Sequence, residues 1–504
     1  MTLSDETGLQ ANLGQKTLTG IFWSYLSFLG GKGLSFLSTL ILARLLLPEQ
    51  FGLVGYCLIA IQYLDILNSA GIDSALIARR ENLEEAANAA FVANILLGIV
   101  CFALTWIIAP SVAVFFKDDS IVPLLRVLGL SLPLSGLGMV PDTLLQRRLR
   151  FRTKLLPDIS RNFIKGMISI VLAAFGFGVW SLVWGQIAGI FTGTVLAWVL
   201  AGWKPTWRFN AIATRAIAIY GFHIVMVEVL GVFRNNVDYL LVGRILGAAA
   251  LGYYTLSFRI PELLIRSVNN AIGAVSLPAL ASMQSDAGRL HSFYFGYIRY
   301  LSMFTFPVGV GLAMTAPLFI PLFLSETWGP AIIPTMLISF ALGVSALGYV
   351  PGVLYKAVNR PEVLNQLAVV KIPFAVFILW YSTRWGIIGV AAGQIALSLI
   401  SVSIDTLIAN YIMKFSLKDL LDTISVTIIS TLVMGLALHV VRRSIPYDGL
   451  FALVLMIATG VLVYFAMLWL LSRETLFQGI NMFRKAFFKS RLVKPAPVEI
   501  VSKD

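Results

Sequence analysis

The residues of this chain that could do chemistry are charges set in apolar surroundings. Lys32, Arg234, Arg259 and Arg266 are matched in number by Asp65, Glu228, Asp238 and Glu262, and Arg126, Lys165 and Lys371 tip the total positive. A charge at the centre of a bilayer costs between about 3 and more than 10 kcal/mol, so such side chains must face a water-filled cavity or one another. Fixed cations among amides and carboxylates form a set that binds. Lys and Arg hold an anionic group, Arg as a bidentate fork, while Gln62 and the acids hydrogen-bond hydroxyls. His223 and Glu228 are candidates for proton exchange. Nothing in the pattern calls for a catalytic residue, a cofactor or a metal. Cys57 and Cys101 lie inside apolar stretches at a spacing that suits neither zinc nor a redox pair, and they read as small buried hydrophobes.

The elements that must position these charges are long apolar helices. The chain has 504 residues, of which 58% are hydrophobic and 12% charged, and the charged share is about half of the usual one. Its mean hydropathy is +0.86. This is the composition of an all-α polytopic membrane protein. Apolar stretches at 19–41, 51–73, 88–115, 122–144, 160–178, 181–201, 214–242, 250–276, 292–323, 331–354, 364–383, 387–412, 420–441 and 449–471 predict about 14 transmembrane helices. Within them the charges keep helical spacing. Gln62, Asp65, Ser69 and Asp73 share one face, as do Arg259, Glu262, Arg266, Asn269 and Asn270. His223, Arg234 and Asp238 fall within an arc of roughly 60° beside Tyr220, with Glu228 and Asn235 at its edge and Asn236 off it. Two structural alternatives stand beside the cavity reading. Arg234 and Asp238, four apart, could pair on their own helix, and Arg259, Glu262 and Arg266 could close into an ion-pair ladder.

The sequence also repeats. ILARLLLPEQFGLVGY at 41–56 aligns with LVGRILGAAALGYYTL at 241–256, pairing Arg44 with Arg244 and Gly52 with Gly252 at a shift of 200. VPDTLLQRRLR at 140–150 aligns with VPGVLYKAVNR at 350–360, and GVWSLVWGQIA at 178–188 with GIIGVAAGQIA at 386–396. An even number of spans separates each pair, so the plan is a parallel 6+6 repeat followed by two helices. The division expected is a cytoplasmic segment 1–18, a first bundle 19–201, a linker 202–213, a second bundle 214–412, two additional helices 413–472 and a basic cytoplasmic tail 473–504. Spans 1 and 7 carry Lys32 and Arg234 at nearly equivalent points, so the two are expected across one cavity as a clamp. Gly185, Gly189 and Gly193 form a ridge of small residues for helix packing.

The net charge of +13 is explained by topology, with no nucleic-acid partner. About 24 lysines and arginines fall on the side of the termini against about 6 on the other, which places both termini in the cytoplasm. No signal peptide is expected, because residues 1–16 are polar and the first apolar stretch lacks a cleavage site. The tail at 473–494 mixes Phe with Lys and Arg and is expected to lie on anionic membrane lipids.

FWSYLSFLGGKGLSFLSTLILARLLLPEQFGLVGY at 22–56 and VPDTLLQRRLRFRTKLLPDISR at 140–161 resemble the Wzx-type polysaccharide flippases of the multidrug/oligosaccharidyl-lipid/polysaccharide (MOP) superfamily. The resemblance covers essentially the whole chain. It implies a V-shaped fold of two six-helix bundles, like that of multidrug transporters, with a basic cavity. It also implies alternating access in the bacterial inner membrane and a substrate of oligosaccharide repeat units on undecaprenyl pyrophosphate, for lipopolysaccharide or exopolysaccharide biosynthesis. The implied partners are a polysaccharide polymerase and chain-length machinery. The residues agree with it. Lys and Arg suit a diphosphate, and the movement of an anion outward is favoured by the membrane potential; a proton or sodium gradient is the other energy source to weigh. No GxxxxGK[ST] sequence is present to use ATP. A lipid II flippase would share the fold. A multidrug/cation antiporter would want an acidic cavity, and an integral-membrane polysaccharide enzyme would need larger loops or a clustered histidine site.

Overall fold

The computed structural model describes residues 30–69, 71–78, 82–148, 151–206, 211–284, 286–360, 362–444, 449–474 and 477. Among the described residues there is no strand, and nine stretches are long and apolar enough to cross a membrane. In chain order the helices are α1 (30–45), α2 (Pro48–Ser69), α3 (Ile72–Ala78), α4 (Leu83–Phe116), α5 (Ile121–Leu128), α6 (Ser131–Arg147), α7 (Phe151–Ala174), α8 (Val179–Ala201) and α9 (Ala211–Leu246). They continue as α10 (Ala248–Pro261), α11 (Ser267–Ser282), α12 (Ala287–Phe323), α13 (Ile332–Ser345), α14 (Tyr349–Ala357), α15 (Glu362–Ser382), α16 (Gly386–Met413), α17 (Leu417–Ser444) and α18 (Leu450–Leu471). The chain is a multi-pass membrane protein. Large apolar side chains such as Ile107, Val114, Phe451 and Leu462 lie exposed on helix faces, where lipid rather than water is the apolar partner.

Several expected spans are broken in two. α5 and α6 meet at Gly129, and α13 and α14 are joined by a 3₁₀ turn, Ala346–Gly348. Between α10 and α11 lies a π-helical turn, Glu262–Arg266. Pro261 directly precedes it. Proline has no N–H to give the carbonyl one turn back and crowds it, so the ladder is weakest there and can take in an extra residue.

Helix packing follows the small residues. The Gly185, Gly189 and Gly193 ridge of α8 lies on α7. A Cβ added at Gly185 would sit 2.7 Å from the Lys165 carbonyl oxygen, and one at Gly189 would sit 2.6 Å from that of Arg161. The absent side chains let two backbones touch, as expected for this ridge.

The two long motifs of the repeat dock on each other. A Cβ at Gly52 would lie 1.8 Å from the carbonyl oxygen of Ala248, and one at Gly252 would lie 1.9 Å from that of Pro48. Each glycine of one segment therefore rests on the backbone 4 positions before the equivalent glycine of the other. Around this contact α2 and α10 share a core with α4, α5 and α9, in which Tyr56, Cys57, Leu125, Leu251 and Tyr254 are fully buried. Cys57 and Cys101 are both buried and unpaired by disulfide.

Candidate functional site

A shallow cleft opens between α1 and the broken span α10–α11. From α1 it takes Lys32, Ser35 and Phe36; from the other side come Arg259, Glu262, Leu263, Arg266 and Ser267. The π-turn is built into its wall, since Glu262 and Arg266 are the turn's first and last residues. Arg266 Nη1 donates to Glu262 Oε1 at 3.0 Å, yet the arginine side chain stays 56% exposed. Lys32 and Arg259 are exposed as well. Three cations and one carboxylate give the lining a net charge of +2. Guanidinium forks beside an ammonium suit an anion with several oxygens, and Glu262 and the two serines add hydrogen-bonding partners for hydroxyls.

The cleft thus gathers four of the expected residues, Lys32, Arg259, Glu262 and Arg266. It does not include Arg234, the partner expected for Lys32. Arg234 is exposed on α9, and no ion pair joins it to Asp238 among the described residues. Asp238 is only 7% exposed. Its Oδ2 accepts from Tyr254 Oη and from Gln394 Nε2, both at 3.0 Å, and Gln394 also donates to Tyr254 Oη at 2.9 Å. This knot ties α9, α10 and α16 together. The expected ladder of Arg259, Glu262 and Arg266 is present only as its Glu262–Arg266 rung.

The polar face of α2 is arranged differently. Gln62 accepts from Asn236 Nδ2 of α9 at 3.1 Å, and Asp65 accepts from Ser135 Oγ of α6 at 3.3 Å. Both are exposed on one side. Asn68 is buried and donates to the Leu132 carbonyl and to Ser135. Glu228 is exposed on α9. The side chain of His223 lies outside the described residues.

Two of the remaining cations are already engaged. Lys371 of α15 donates to Asp405 of α16 at 2.5 Å, with side-chain exposures of 22% and 10%. Arg126 stacks over the Trp106 ring at 4.7 Å. Lys371 therefore adds nothing to the positive excess of the cavity. Sequence reasoning missed Asp405, Gln394 and the π-turn. The available signals were an isolated Asp in an apolar helix, a GQ in the GQIA repeat, and Pro261 directly before Glu262.

Residues 41–333 match the family described as polysaccharide biosynthesis protein. The chain is 26% identical over 491 residues to an uncharacterized membrane protein in the cps region of Klebsiella pneumoniae, covering 95% of this chain and 100% of that one. It is 25% identical over 410 residues to the lipopolysaccharide biosynthesis protein WzxC of Escherichia coli, covering 80% and 82%. It is 28% identical over 279 residues to the succinoglycan biosynthesis transport protein ExoT of Rhizobium meliloti, covering 54% and 56%. Among solved structures, the lipid II flippase MurJ in an inward closed conformation superposes with a TM-score of 0.74 at 15% identity, over 90% of this chain and 100% of that one. An inward-facing multidrug resistance MATE transporter of the MOP superfamily reaches 0.60 at 16% identity, over 76% and 96%. The family match spans more than half of the chain, so this chain belongs to the polysaccharide biosynthesis protein family, and its fold is the one shared by these flippase and multidrug-transporter structures.

Proposed function

We propose that this protein carries oligosaccharide repeat units linked to undecaprenyl pyrophosphate across the bacterial inner membrane by alternating access. The observation that supports this most is the cleft between α1 and α10–α11, where Lys32 meets Arg259, Glu262 and Arg266. The diphosphate binds the cations, the glycan occupies the water-filled space, and the lipid tail stays in the bilayer. Gln62, Asp65, Arg234 and the Asp238 knot border the path that the head group takes. The bundles 19–201 and 214–412 are the moving halves, helices 413–472 flank them, and both termini are cytoplasmic. The membrane potential drives outward movement of the anion, and His223 or Glu228 provides proton coupling if a pH gradient contributes. The polymerase and chain-length machinery take up the product outside.

The experiment is transport of a fluorescent lipid diphosphate oligosaccharide by the purified protein in vesicles, under an imposed potential or pH gradient. Export that disappears in Arg259→Gln and Arg266→Gln, with the folded protein intact, is the expected result. Equal transport of lipid II or of an organic cation, unaffected by those changes, would overturn the assignment. Cysteines introduced at Asp118 and Glu326 should label from outside intact cells, and one at Arg152 only after the membrane is breached.

A further inference from the structure

We propose that Arg44 and Arg244 are two reciprocal latches that hold the halves closed at one end of the bundle, and that both must release for the cavity to open there. This rests on the alternating-access reading above. Arg44, at the end of α1, reaches the end of α12. Its Nε donates to the Phe323 carbonyl at 2.8 Å and its Nη2 donates to the Leu322 carbonyl. Arg244, at the end of α9, reaches the end of α4. Its Nη1 donates to the carbonyls of Val114, at 3.3 Å, and of Phe115, and its guanidinium sits 5.3 Å from the Phe115 ring centre. Each arginine belongs to one half and caps the terminal helix turn of the other.

The chemistry explains why such a contact is both firm and reversible. The last carbonyls of a helix have no partner within it and carry the negative end of its dipole. A guanidinium satisfies two of them at once and adds charge. When the halves part, water can take its place, because Arg44 lies exposed at the rim. The surrounding contacts follow the same pairing. Tyr56 Oη donates to the Gly243 carbonyl at 3.0 Å, and Trp328 Nε1 donates to the Ala43 carbonyl at 2.7 Å. Gly243 and Ala43 are the residues just before the two arginines. The close backbone contacts of Gly52 on Ala248 and of Gly252 on Pro48 complete the closure. This end carries the smaller share of lysines and arginines, and in the proposed orientation it is the outer one.

The test reads which side of the membrane reaches the cleft. Cys57 and Cys101 are replaced by Ala, Ser35→Cys reports from the cleft, and an impermeant maleimide is applied to spheroplasts or to inverted vesicles. Loss of a hydrogen bond to a charged donor shifts an equilibrium by about tenfold or more. Arg44→Ala and Arg244→Ala should each raise the ratio of latch-side to opposite-side labelling about tenfold, and the double variant about a hundredfold; each Arg→Lys change should move it less. An unchanged ratio in a folded double variant overturns the latch, as does a loss of protein amount or melting temperature in the Lys variants with no change of ratio. In a second arm, a reducible cross-linker joins Arg44→Cys to Leu322→Cys. Export should stop on cross-linking and return on reduction, and export that continues while cross-linked overturns the latch. If the reporter of the parent labels from the unexpected side, the orientation falls, and the latch is still judged by the change in ratio.

Discussion

The seam at which the two repeats dock and the cleft at which their charges meet are built on opposite rules. At the seam the glycine and arginine contacts come in matching pairs. Gly52 sits on Ala248 as Gly252 sits on Pro48, and Arg44 caps α12 as Arg244 caps α4. At the cleft the counterparts diverge. Position 62 is a glutamine on the regular helix α2, whereas position 262 is a glutamate that opens a π-turn. Arg259 and Arg266 correspond to Ile59 and Ile66 at the same shift. Backbone packing at the seam therefore keeps the match between the two segments, while the cleft lining abandons it. Two segments that pack backbone to backbone need small residues at matching positions. A substrate with a charged head at one end and a glycan at the other has no symmetry to match.

The largest effect expected from this contrast is steric. Gly52→Leu or Gly252→Leu places a side chain where a backbone oxygen of the other half already lies under 2 Å from the Cβ position. Neither backbone can yield, so the cost should exceed the roughly 1–3 kcal/mol of ordinary overpacking. Protein amount in the membrane should fall severely. Gly33→Leu beside the cleft, whose Cβ would meet nothing within 4 Å, should leave it unchanged. Equal tolerance at all three glycines would erase the distinction.

Next comes charge in the cleft. Arg259→Gln or Arg266→Gln should reduce export at least tenfold, from about 1.5–3 kcal/mol of lost charge-assisted binding. Melting temperature should stay near that of the parent. A matching fall in melting temperature would make these arginines structural, like those of the seam.

A smaller effect is expected at Asp238, which is closer to the seam in character. Asp238→Asn weakens two accepted hydrogen bonds and should cost about 1–2 kcal/mol. Arg234→Gln should cost little stability, because the two side chains form no ion pair. The double variant should therefore be additive to within about 0.5 kcal/mol, in stability and in export. Rescue of either by the double change would mean that the pair exists after all. The smallest effect is that of Glu262→Gln. It removes one rung between residues 28% and 56% exposed, and an exposed pair is worth about 0.2–1 kcal/mol.

Much of this was legible in the chain. The apolar stretches and their helical periodicity determine a helical membrane protein, in which LARLLLPEQFG and VGRILGAAALG stand out as matching segments. They do so because burial in lipid leaves the backbone few other choices. The small-residue ridge of α8 gave its own packing, and of the polar stripes the one at Arg259, Glu262 and Arg266 lines the cleft while that of α2 does not. Sequence spacing reports only neighbours on the same helix. It could pair Arg234 with Asp238 but had no means to see Tyr254 and Gln394 arriving from α10 and α16. It set Lys32 against Arg234 by position in the repeat, whereas the fold brings Lys32 to Arg259 and Arg266, past a π-turn that breaks the register the repeat would have kept. It gave Arg44 and Arg244 as matching letters. Only the tertiary structure, by bringing the end of each helix to the other half, decided that these letters bind carbonyls across the seam.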